Sequence, residues 1–162
     1  MKIATLVVFV SALAFSGQTA AHGSAPHKTA ERRAISTEEK PFGREGDPSK
    51  VTRTIKVDMS DKMWFSPGEL RIKAGETIRF EVKNSGKAMH EMVLGTKQDL
   101  KEHAELMRKH PGMEHDEPHM AHVAPGKTER MVWQFTKPGE FYYGCLIPGH
   151  FEAGMVGKVI VR

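Results

Sequence analysis

The sequence predicts an all-β fold, a β-sandwich carrying one helical excursion. Apolar and polar residues alternate with period two in several short runs, and glycine or proline punctuates the intervals between them. Only one stretch, after Thr96, has apolar residues at helical spacing. Many short strands with turn residues between them are the pattern of two packed sheets.

Met1 to Ala21 reads as a secretory signal peptide. Lys2 is a short positive start, Ile3 to Phe15 is the apolar stretch, and Thr19-Ala20-Ala21 offers small residues for cleavage. The apolar stretch is short for a membrane span, so export is expected, with no span left after cleavage. Residues 22–50 are polar, mixed in charge and broken by Pro26, Pro41, Gly43, Gly46 and Pro48, with Phe42 the only aromatic. Such a segment buries too little apolar surface to offset the entropy of ordering it, which predicts a flexible linker.

From Val51 the alternation begins. Val51, Arg53, Ile55 and Val57 share one face of a predicted strand, and Ile78, Phe80 and Val82 share one face of another. Leu70 and Ile72 form a shorter strand before an Ala74-Gly75 turn. An apolar run starts at His90. Thr96 is positioned to cap a helix from about Lys97 to Lys109, with Leu100, Ala104 and Met107 near one face and Pro111-Gly112 ending it. Thr128 to Thr136, Glu140 to Tyr143 and Gly157 to Val161 complete the strands, with Lys137-Pro138-Gly139 between the first two.

The formal net charge of +4 comes from 24 basic and 20 acidic residues, interspersed along the chain. This offers no basic stripe for nucleic acid. The single cysteine excludes an intramolecular disulfide, and a lone thiol in an exported chain calls for another use. Its surroundings supply one. Cys145, His150 and Met155 follow the pattern C-x4-H-x4-M within F-Y-Y-G-C-L-I-P-G-H-F-E-A-G-M-V, so one loop offers a thiolate, an imidazole and a thioether. Two imidazoles and a thiolate in a plane, with a weak axial thioether, make a blue-copper site. Pro148-Gly149 can turn the loop back on itself, and Gly154 gives a second permissive point. The remaining imidazole must come from a distant strand, and His90 in K-A-M-H-E-M-V-L-G is the candidate.

These residues resemble the cupredoxins, the type 1 copper family that includes plastocyanin, azurin and auracyanin. The resemblance covers Val51 to Arg162 and implies a Greek-key β-sandwich. It also implies that His90, Cys145 and His150 are equatorial copper ligands and that Met155 is the axial one. Many members carry a small amide after the first histidine, bracing the cysteine loop. This chain departs from them with Glu91.

Thr96 to Lys127 is read as an insertion between strands. It holds His103, His110, His115, His119 and His122, interleaved with Met107, Met113 and Met120. Imidazole suits copper in both oxidation states and thioether favours Cu(I), so these eight residues are candidate accessory copper ligands. His103 and Met107, and likewise His115 and His119, would share a face if helical. The signal, the domain and this insertion together are similar to periplasmic cupredoxins associated with bacterial copper tolerance. Copper ions are the partner this implies, with a periplasmic redox protein or a copper exporter or oxidase receiving electrons or metal. An electron carrier is the alternative. No His-x-His pair is present to build the further copper centres of oxidases and nitrite reductases, so an enzyme is not expected.

Overall fold

The computed structural model describes residues 34–111, 113 and 115–162; the expected signal peptide and residues 22–33 of the expected linker lie outside these. Eleven strands among the described residues form two sheets. They are β1 (Glu39–Lys40), β2 (Gly43–Glu45), β3 (Arg53–Ser60), β4 (Trp64–Ser66), β5 (Glu69–Ile72), β6 (Thr77–Asn84), β7 (His90–Gly95), β8 (Met120–Val123), β9 (Thr128–Gln134), β10 (Gly139–Gly144) and β11 (Val156–Val161), with helix α1 (Lys97–Lys109) between β7 and β8. One sheet runs β1-β2-β9-β6-β3-β4 and the other β5-β11-β10-β7-β8. The chain crosses between sheets at β4–β5, β5–β6, β6–β7, β8–β9 and β9–β10, which gives the sandwich its Greek-key character.

The predicted alternation meets the core as expected in β6, where Ile78, Phe80 and Val82 are fully buried. In β3 only the far half of the alternating face is covered: Val57 and Met59 are buried, whereas Arg53 is exposed and Ile55 half-buried. Trp133, Tyr143, Phe65, Phe80 and Phe135 are the largest side chains of the core between the sheets. Removing such an aromatic typically costs about 3–5 kcal/mol.

Two expectations need correction. The linker does not extend to Lys50. Residues 39–50 are part of the domain, with β2 paired antiparallel to β9 through Arg44–Gln134 and Glu45–Trp133, and with a 3-10 turn at Pro48–Lys50. Phe42 is buried and stacks on Trp133 with ring centroids 5.2 Å apart, while its carbonyl accepts the Trp133 indole N–H at 2.9 Å. Gly43, at φ 119°, allows the close approach, since a side chain there would meet the Gln134 carbonyl. One aromatic with a satisfied polar partner anchors a stretch whose average composition is that of a linker.

Nor is Thr96 to Lys127 wholly an insertion. Its last part contains β8, which pairs antiparallel with β7 from His90–Val123 to Val93–Met120. Met-Ala-His-Val is too short and mixed to reveal a strand by alternation.

Helix α1 has the predicted bounds. Thr96 Oγ1 accepts the Asp99 N–H at 3.1 Å and Asp99 accepts the Thr96 N–H at 3.0 Å, a reciprocal capping box. Leu100 and Ala104 pack with Val93 of β7, Met120 of β8 and Leu146 in a small second core. Because Leu146 follows Cys145, the helix is seated directly on the cysteine loop.

Candidate metal centre

The site lies at the end of the sandwich where β10 gives way to the loop before β11 and where β7 begins. In that loop the His150 N–H donates to the Ile147 carbonyl at 2.9 Å, closing a turn over Pro148-Gly149 with Gly149 at φ 91°. Gly154, at φ 89°, makes the second bend, so both glycines predicted to be permissive occupy the left-handed region. The loop is then tied across its base: the Cys145 N–H donates to the Met155 carbonyl and the Met155 N–H to the His150 carbonyl, each at 3.1 Å.

This geometry brings Cys145 Sγ within 3.2 Å of His150 Nδ1 and 3.9 Å of His90 Nδ1. The three ligand atoms all lie within 4.8 Å of one another. His90, Cys145 and Met155 are wholly buried, and His150 is half-buried at the rim. The arrangement therefore has one edge near solvent and a dry interior.

Burial pushes the Cys145 thiol up to about 12, against the opposing pull of the Glu91 and Ile147 backbone N–H groups that point at its sulfur. Burial likewise lowers His150, helped by neighbouring His90. Both effects keep the groups uncharged until a cation arrives, and a soft cation reverses the penalty on the thiolate. A buried sulfur with two imidazole nitrogens turned towards it is a donor set that fits copper.

Residues not predicted from sequence fix this set. Asp61 accepts the Nε2–H of His90 at 3.1 Å, which leaves Nδ1 as the lone-pair nitrogen facing the sulfur. The same carboxylate accepts the Lys87 and Ala88 N–H groups at 2.8 and 3.2 Å, and these bonds hold its own ionisation below the usual carboxylate range. Asn84, fully buried, donates through Nδ2 to the Ala88 and Val123 carbonyls, both at 2.8 Å, so the turn before His90 is locked to β8. Asn84-Ser85-Gly86 carries a turn signal that could have suggested this role.

Glu91 performs the bracing expected of an amide. Its Oε1 accepts the Leu146 N–H at 2.9 Å from a position only 3% exposed, while the second oxygen accepts from His122 Nδ1 at 2.9 Å.

The eight accessory candidates separate. His103, His115 and His122 gather, with ring centroids 4.6 Å apart for the first two and 6.0 Å for the last two. Met107 and Met113 line the same groove as His115 and His122. His110 is exposed at the end of α1, its N–H bonded to the Leu106 carbonyl. Met120 is buried under the helix, and His119 is buried elsewhere, against Phe42 and Trp133. Residues 115–118 are not helical, so His115 and His119 share no face.

Comparison with known proteins agrees with this geometry. Residues 51–162 match the model of the copper binding proteins of the plastocyanin/azurin family. The chain is 52% identical over 141 residues to the copper-resistant cuproprotein CopI of Rubrivivax gelatinosus, covering 87% of this chain and 83% of that one. It is 35% identical over 153 residues to the copper-resistant cuproprotein CopI of Pseudomonas aeruginosa, covering 75% of this chain and 82% of the relative. Among solved structures, the reduced auracyanin of Roseiflexus castenholzii superposes with a TM-score of 0.60 at 20% identity, over 69% of this chain and 98% of that one. Auracyanin B matches with a TM-score of 0.60 and covers 74% and 96%, respectively. With a Cys-His-His cluster at the end of a Greek-key sandwich and a family match over residues 51–162, the chain belongs to the plastocyanin/azurin family of copper-binding proteins, the cupredoxins.

Proposed function

We propose that this chain is an exported, periplasmic cupredoxin that handles copper for copper tolerance. In this reading His90, Cys145, His150 and Met155 would hold one type 1 copper, and the histidine- and methionine-bearing segment would take up more. The observation that carries the reading is the convergence of Cys145 Sγ and the imidazoles of His90 and His150, their ligand atoms within 4.8 Å of one another, with His90 and Cys145 buried and His150 at the rim. Copper bound there would supply one-electron chemistry at a site already dry and braced. The protein's own groups do the holding: Asp61 orients His90, Glu91 anchors the cysteine loop, and the Glu91 and Ile147 N–H groups face the sulfur. The names of the curated relatives, copper-resistant cuproproteins, support copper tolerance as the purpose, and binding rather than catalysis as the activity.

An electron-carrier reading draws on a different observation. Met89 is 49% exposed, and Ile147 and Phe151, on either side of the loop carrying His150, are half-buried, so the imidazole edge is reached past apolar side chains that a redox partner could cover.

The test combines copper titration with growth. The intact chain is expected to develop an intense visible charge-transfer band with one equivalent of Cu(II), and Cys145→Ser to develop none. A strain relying on Cys145→Ser should lose copper tolerance. A band that survives this substitution, or undiminished tolerance, would overturn the assignment. Loss of an electron-transfer phenotype with copper tolerance intact would favour the carrier. Deleting residues 96–127 is not a clean experiment, because it removes β8 from the sheet.

A further inference from the structure

Glu91 reaches further than bracing the cysteine loop requires. Its second oxygen is committed to His122 on β8, so one buried carboxylate joins the cysteine loop to the histidine-bearing segment. A carboxylate on one nitrogen of an imidazole is the arrangement that orients metal-binding histidines and makes the opposite nitrogen a better donor. In His122 that opposite nitrogen is Nε2, which lies 3.0 Å from the His115 carbonyl.

His115 continues the line. Its Nε2 stands 2.7 Å from Nε2 of His103 on α1. Two imidazole nitrogens this close can share only one proton, so at least one offers a lone pair. The three rings come from three separate parts of the chain: the helix, the loop after it and β8. An open groove of about 560 Å³ borders His115 and His122, lined also by Met107, Met113, Asp116 and Glu91. Imidazoles with thioethers in reach are a donor set for copper in both oxidation states.

We propose that His103, His115 and His122 bind a second copper ion, and that Glu91 couples this ion to the cysteine centre. For copper to enter, His122 Nε2 gives up its hydrogen bond to the His115 carbonyl and releases its proton to solvent, so that its lone pair meets the metal while Nδ1–H stays on Glu91. His103 and His115 give up their mutual hydrogen bond. Glu91 then links a ligand of the second ion to the backbone of the loop that carries Cys145. The coupling rests on the cysteine centre being a copper site; the second site does not.

The experiment titrates Cu(II) into the full chain and into the Cys145→Ser, Cys145→Ser/His115→Ala, Cys145→Ser/His103→Gln and Glu91→Gln variants. Visible absorption, electron paramagnetic resonance and bound metal are followed, and circular dichroism checks folding. Cys145→Ser should retain a colourless, nitrogen-coordinated equivalent that weakens about 10-fold or more when His115 or His103 is also replaced, as loss of a ligand or its support does. In the intact chain the charge-transfer band should shift as the second equivalent binds. In Glu91→Gln the second equivalent should weaken about 10- to 100-fold and the shift should vanish. Uptake by Cys145→Ser that is unchanged by both histidine substitutions overturns the second site. A second equivalent that binds without moving the band overturns the coupling. If no band forms in the intact chain while a His115-dependent equivalent persists, the cysteine centre is the part that fails and the histidine site stands.

Discussion

The cysteine loop and the segment after β7 contain the same kinds of side chain in opposite settings. Cys145, His90 and Met155 are wholly buried, and each has its backbone or ring tied by hydrogen bonds that exist without metal. His103, His115 and His122 are half-buried, the last two beside an open groove, and they bond to one another and to Glu91. The first group is arranged before a ligand arrives. The second would have to exchange its own hydrogen bonds for the proposed copper ion. Preorganisation of the former reduces rearrangement on binding, whereas adaptability in the latter suits an ion that enters and leaves.

His119 sharpens this contrast, because it belongs to the segment by sequence and to the core by position. Its ring lies 5.5 Å from Phe42 and 5.8 Å from Trp133, and its buried Nδ1 has no hydrogen-bond partner among the described residues. Burial, then repulsion from Lys40, pushes its pKa down to about 4. The unfolded chain takes up a proton there as pH falls through 6.5, and the folded chain does not until about 4. Stability should therefore be lost on acidification across that window, by up to roughly 3 kcal/mol. Urea unfolding of metal-free protein at several pH values should give a flatter profile for His119→Leu. Equal slopes would mean that His119 is not held neutral by the fold.

Asp61→Ala tests the preorganised side. Without Asp61 the His90 ring loses the partner that selects its tautomer, and copper affinity at the cysteine centre should fall about 10- to 100-fold. An unchanged affinity, measured by competition with a chelator, would mean that packing alone orients His90. The smallest expected effect is at the helix that carries His103. Thr96→Ala removes half of the capping box and should cost about 1 kcal/mol in thermal or urea unfolding, with the charge-transfer band retained. If the band were lost as well, the cysteine loop would depend on α1 more than its own hydrogen bonds imply.

Much of the site was legible because local chemistry leaves local marks. The spacing of Cys145, His150 and Met155 announced the loop, Pro148-Gly149 and Gly154 announced its bends, and Thr96 announced the helix start. The helix bounds and the strands around Ile78, Leu70 and Val159 followed from periodicity. Composition hides the role of Phe42 because it averages over a segment, whereas one buried ring with a bonded carbonyl is enough to dock that segment. β8 is not legible in the sequence because four residues are too few to display alternation.

By itself, the sequence determined the donor types, their order along one loop and the turn residues that let the loop close. These are properties of neighbouring residues, governed by φ preferences and side-chain chemistry. Only the tertiary structure decided which distant groups complete them: Asp61, 29 residues from His90, and Glu91, 55 residues from Leu146. It alone sorted His103, His115 and His122 from His110 and His119. Those choices depend on strand pairing and on the seating of α1 against the cysteine loop, which are set by core packing between residues far apart in the chain.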